Sequence, residues 1–178
     1  MNLRVLTLIG ILILAGGFWF SVQAEKEKPA ITLISVYDNY QVDKKLKTAW
    51  GFATVIKTPY ESILFDTGGD SKILLSNMEK LNVKPFSIKK VVISHIHTDH
   101  VGGLEGFLEK NNDVTVFIPE SFPQSVKNMV VQRGAKFIEV SVSRKISDFI
   151  YTTGELLGPP KEQSLIIDSG KGLVVITG

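Results

Sequence analysis

Apolar and polar positions alternate through residues 31–37, a stretch rich in β-branched residues, and the pattern predicts a first strand. Residues 38–49 are polar and predict a loop. Residues 50–57 and 62–65 predict two more strands, joined as a hairpin by Thr58-Pro59-Tyr60-Glu61 with Pro at a favoured turn position. Leu74, Met78 and Leu81 then fall at i, i+4 and i+7, the spacing of an amphipathic helix. Asp70 or Ser71 is placed to cap it, and Pro85 lies beyond its end. Residues 88–94, with Val91-Val92-Ile93 at their centre, predict a buried strand. Leu104, Phe107 and Leu108 mark a helix after Gly102-Gly103. A strand over 114–118, a helix over 122–133 stopped by Gly134, and a strand over 136–140 follow. A further strand is predicted over 146–151. Residues 164–168 and 173–177 flank Ser169-Gly170-Lys171-Gly172, a strong hairpin signal. Strands first, then alternating strand and helix, then strands again imply an α/β chain with a mixed sheet and helices packed on it.

The start of the chain departs from this pattern. Arg4 is the sole charge before Glu25, and residues 5–20 are almost wholly apolar. Ser21-Val22-Gln23-Ala24 places small residues at the −3 and −1 positions of a cut after Ala24. This is the layout of a secretory signal peptide over residues 1–24, followed by a polar leader over 25–30 and a domain over 31–178. The alternative is an uncleaved segment that anchors the chain in a membrane through residues 5–22. Either way the domain is expected outside the cytoplasm, in the periplasm or the extracellular medium.

Composition narrows the chemistry. The chain has 178 residues, 44% of them apolar, enough for one domain with a core. A net charge of +2 gives no case for nucleic acid or an anionic membrane surface, and Lys44, Lys45 and Lys47 read as a solvated loop. There is no cysteine, which excludes disulfides, thiolate ligands, a Cys nucleophile and a lipoprotein anchor. A metal site would have to use His and carboxylates.

All three histidines of the chain lie in His95-Ile96-His97-Thr98-Asp99-His100, directly after the buried strand. Ligand sites gather where α/β strands end. His95 and His97 are two apart, so on extended backbone they point the same way and can share one ion. Asp99 and His100 follow where the chain turns and could face a second. Imidazole with carboxylate suits zinc and is tolerated by iron or manganese. The bland alternatives are a surface loop with chance histidines and, for Asp99, a helix N-cap.

His95-x-His97-x-Asp99-His100 resembles the signature of the metallo-β-lactamase superfamily. Phe65-Asp66-Thr67-Gly68 is similar to the same superfamily's first motif, although Asp66 by itself could be a turn aspartate. The resemblance implies two divalent metal ions, zinc with iron or manganese as alternatives. It implies His95, His97, Asp99 and His100 as ligands, Asp99 also as a catalytic carboxylate, and Asp66 as a residue supporting the ligands. It further implies hydrolysis of an ester, amide or phosphoester in a small-molecule substrate by activated water. Val36-Tyr37-Asp38-Asn39, Gly51-Phe52-Ala53, Tyr151-Thr152-Thr153-Gly154-Glu155 and the last hairpin resemble the dihydropterin ribofuranosyl-aminobenzene phosphate synthase subgroup. Trp50 departs from it, standing where that subgroup often has a His. The family's later ligands have no counterpart before Gly178. The resemblance therefore implies the N-terminal part of a four-layer αβ/βα sandwich, with its second sheet absent and one face of its sheet uncovered. The alternatives to a hydrolase are a catalytically incomplete fragment and an exported binding module without turnover.

Overall fold

A computed structural model describes residues 30–178; the signal peptide expected over 1–24, and all of the expected leader but Ala30, lie outside the described residues. Among the described residues no helix is long and apolar enough to cross a membrane.

Six strands form one mixed sheet in the order β1 (Thr32–Tyr37), β2 (Ala53–Lys57), β3 (Ser62–Phe65), β4 (Ile88–Val92), β5 (Thr115–Pro119), β6 (Lys136–Val140). The first three are antiparallel neighbours, as the predicted hairpin requires. β3 to β6 run parallel, because a helix or helical pair separates each from the next. These are α1 (Ser71–Lys80), then α2 (Thr98–Val101) with α3 (Leu104–Leu108), then α4 (Gln124–Gln132). Asp70 caps α1, its side chain accepting from the Lys72 amide at 2.6 Å.

The strands of this sheet are apolar on both faces, and the alternation of side chains sorts them into two cores. Val55, Leu64, Val91, Val116 and Ile118 point to one face and pack with Leu74, Met78, Leu104 and Phe107 of the helices. Ile56, Ile63, Phe65, Val92 and Phe117 point to the other. There they meet a second sheet, which the sequence did not predict for this part of the chain. Its order is β10 (Leu173–Ile176), β9 (Leu165–Asp168), β8 (Ile150–Gly154), β7 (Val142–Ser147), all antiparallel. Ile146, Ile150, Leu165, Ile167 and Ile176 are the side chains it contributes.

This corrects two expectations. The second sheet is present in four strands, and the six-stranded sheet has neither face open. The single strand predicted over 146–151 is the middle of a β-hairpin that turns at Asp148-Phe149, with Phe149 at φ 64°. Its outward residues are polar on β7 and gave too weak an alternation to separate two strands. The strand predicted from Trp50 begins at Ala53, because Trp50 and Gly51 belong to a loop that runs over the end of the sheet. Asn77, on α1, holds that loop: its amide donates to the carbonyls of Val36 (3.0 Å) and Lys47 (2.8 Å) and its oxygen accepts from the Lys47 amide at 2.9 Å. Lys44, Lys45 and Lys47 are exposed, as a solvated loop requires.

Candidate metal centre

The parallel register pairs Phe65 on β3 with Val92 on β4. The residues that leave those two strands therefore meet at one edge of the sheet, although they are far apart in sequence. Asp66 leaves β3 in the left-handed region at φ 58°, and the Asp66 amide donates to the Val92 carbonyl at 2.8 Å. Its carboxylate is fully buried. Oδ1 accepts from the Ser94 amide at 2.6 Å; Oδ2 accepts from the Ser94 hydroxyl at 2.7 Å and lies 2.8 Å from His100 Nδ1.

The three imidazoles are gathered here. The His95 ring lies 4.1 Å, centroid to centroid, from that of His100 and 4.7 Å from that of His97. His95 and His100 are buried and His97 is exposed. His97 occupies the N-cap position of α2 without a side-chain capping bond, and Asp99 sits in its first turn. Asp99 is therefore not the N-cap, since the chain enters the helix two residues earlier. Gly51 lies against it: at φ 131° this residue brings its backbone so close that a Cβ would stand 2.2 Å from the Asp99 carbonyl oxygen.

Charge follows the geometry. Burial pushes the pKa of His100 down, but its bond to Asp66 and the negative charges of Asp66, Asp99 and Glu162 outweigh this and raise it. His95 is held below the ordinary imidazole value, first by burial and then by the charge of His100.

One pair tests the fit of a metal. Nδ1 of His100 faces a carboxylate, so it carries the ring's proton when the ring is neutral. That leaves a lone pair on Nε2, and Nε2 lies 3.3 Å from Asp99 Oδ2. Two acceptors in that position repel unless a proton or a cation lies between them. Two donors tetrahedrally placed about 2.1 Å from one zinc ion would be about 3.4 Å apart. The donor set thus fits a divalent ion in chemistry and in this spacing. Among the described residues no three such groups converge into a finished cage.

The sequence profile of the Metallo-beta-lactamase superfamily matches residues 51–176, which include both motifs, β2 to β6 of the first sheet and the whole of the second. The chain belongs to the metallo-β-lactamase superfamily. A 7,8-dihydropterin-6-methyl-4-(β-D-ribofuranosyl)-aminobenzene-5'-phosphate synthase from Methanocaldococcus jannaschii is 43% identical over 56 residues, 31% of this chain and 19% of that protein. A hydroxyacylglutathione hydrolase from Buchnera aphidicola is 33% identical over 89 residues, 46% of this chain and 34% of that protein. The chain covers at most about a third of the length of these two relatives. A crystal structure of an N-acyl homoserine lactone hydrolase, with product bound at its catalytic metal center, superposes with a TM-score of 0.59 at 16% identity, over 83% of this chain and 74% of that one.

The structure adds three residues to the site that the motif did not point to. Ser94 joins Asp66 to the histidines. Glu162, half-buried in the β8–β9 loop, acts electrostatically on both His95 and His100. Gln163 is fully buried, its amide donating to the carbonyls of Ile93 (2.8 Å) and Phe117 (3.2 Å) while its oxygen accepts from the Thr152 hydroxyl at 2.7 Å. A polar pair bordering the apolar run of β9 was the available signal for the last two, but nothing local ties it to residues 93–100.

Proposed function

We propose that this chain carries the metal centre of a dinuclear metal-dependent hydrolase. His95 and His97 would hold one divalent ion and Asp99 and His100 the other, with zinc as the first choice. The pair of facing acceptors, His100 Nε2 and Asp99 Oδ2, carries this reading, because a cation between them removes their repulsion. When bound, such ions lower the pKa of water toward neutrality and polarise the bond under attack. The chain's own groups do the rest. Asp66 fixes His100 from behind. Asp99, half-exposed at the site, orients water and is placed to accept its proton. Trp50, largely exposed beside Gly51, offers an apolar surface at the rim for a small-molecule substrate. The substrate class is an ester, amide or phosphoester. The apolar segment before residue 25 supports a site of action outside the cytoplasm, which N-terminal sequencing of the mature protein tests.

A second reading is favoured by the absence, among the described residues, of three converging donors. In it the chain takes up metal and does not turn over substrate. One experiment separates the two. Metal-free protein is given zinc, bound metal is counted by mass spectrometry, and a chromogenic ester and a chromogenic phosphodiester are offered. Two zinc ions per chain with hydrolysis above buffer supports the hydrolase; zinc without hydrolysis supports the second reading. His97→Ala should lose one ion at least, and since that side chain is exposed the variant should fold. Uptake unchanged in His97→Ala would sink the metal assignment.

A further inference from the structure

We infer that Ser94 is a positioning residue of this centre: its hydroxyl carries the orienting effect of Asp66 on to His95, so that one buried carboxylate aims two imidazoles. The inference rests on the metal reading above.

The available protons decide the direction of each bond. Asp66 Oδ2 can only accept. The Ser94 hydroxyl has a single proton, and Oγ stands 2.7 Å from Oδ2, so that proton points to Asp66. Oγ is also 2.9 Å from His95 Nδ1. With the hydroxyl proton committed, the hydrogen in this second bond comes from Nδ1. His95 is therefore held with its proton on Nδ1 and its lone pair on Nε2. His100 reaches the same state directly, by donating from Nδ1 to the same Oδ2 at 2.8 Å.

The surroundings leave the hydroxyl no other arrangement. Ser94 and Asp66 are fully buried and His95 is buried, so bulk water does not compete. The Ser94 amide is bound to Asp66 Oδ1 at 2.6 Å, and the Ser94 carbonyl accepts from the Gln163 backbone N–H at 2.9 Å. The backbone of Gly178 closes the remaining side. A Cβ there would stand 2.0 Å from Ser94 Oγ and 2.9 Å from Asp66 Oδ2. A hydroxyl that both accepts and donates is required here; alanine does neither.

The test uses the full chain labelled with nitrogen-15. With the metal removed and the rings neutral, two-bond proton–nitrogen correlations report the tautomer of each histidine. His95 and His100 should both be protonated at Nδ1. In Ser94→Ala, His95 should leave that state while His100 keeps it, and Ser94→Thr should restore it. Zinc affinity should fall about 10- to 100-fold in Ser94→Ala and return to within a few-fold in Ser94→Thr. A wild-type His95 protonated at Nε2, or a Ser94→Ala protein whose His95 is unchanged, overturns the inference. Should the alanine variant not fold, the wild-type tautomer decides. A protein that shows the tautomers and takes up no zinc overturns the metal reading and leaves the hydrogen-bond relay standing.

Discussion

Asp66 combines a backbone conformation that few residues other than glycine adopt with full burial and three close hydrogen-bonding neighbours. Aspartate tolerates the left-handed region better than most side chains, and here the bonds to Ser94 and His100 over-determine it. Removing the carboxylate would leave the Ser94 amide, the Ser94 hydroxyl and His100 Nδ1 without their acceptor in a place water does not reach. Asp66→Ala should therefore cost about 3 kcal/mol of stability, measured by urea denaturation, as well as weakening zinc binding. A midpoint equal to wild type would show that this buried network holds nothing. Asp66→Asn keeps the shape and should cost less, but it turns one of the two accepting oxygens into a donor.

At the scale of elements, the two sheets are joined near the site by side chains from the β8–β9 segment. Gln163 spans from β8, through Thr152, to Ile93 just after β4 and to Phe117 in the middle of β5. Gln163→Leu fills the space and satisfies none of these partners. It should destabilise the protein by about 2–3 kcal/mol in a denaturant titration and broaden the amide signals of residues 93–97. Glu155, just after β8, binds the Ser121 amide at 2.8 Å beyond the end of β5 and pairs with Lys161 at 2.9 Å. Burial pushes its pKa up, but the bonds from Ser121 and Lys161 outweigh burial and hold it below the ordinary value. A carboxylate with a depressed folded pKa contributes stability above its unfolded pKa and loses it as pH falls through the folded one. Glu155→Gln should accordingly be less stable than wild type at neutral pH. The gap should close below about pH 4. Parallel stability curves across that range would contradict this role.

For the molecule as a whole, the six-stranded sheet is sealed by helices on one face and by the second sheet on the other, and the metal motif sits on its edge rather than in either core. Metal should therefore add to a fold that stands without it. Zinc at about 100 times its dissociation constant should stabilise the native state by about 2.7 kcal/mol. For a domain of this size that raises the melting temperature by about 5–10 °C, and excess chelator should reverse it. A melting temperature indifferent to both would count against any site in this chain. The sequence by itself determined the order of elements from β1 to β6, the buried strand that delivers the motif, and the clustering of all three histidines, because periodicity and strand-end position are local properties. Tertiary structure alone decided that Asp66 and Ser94 meet, that Gln163, Glu162 and Gly178 reach the same edge, and that β7 to β10 form a sheet of their own. Those outcomes depend on which strands pair and in what register. Long-range packing sets both, and neighbouring residues carry no mark of it.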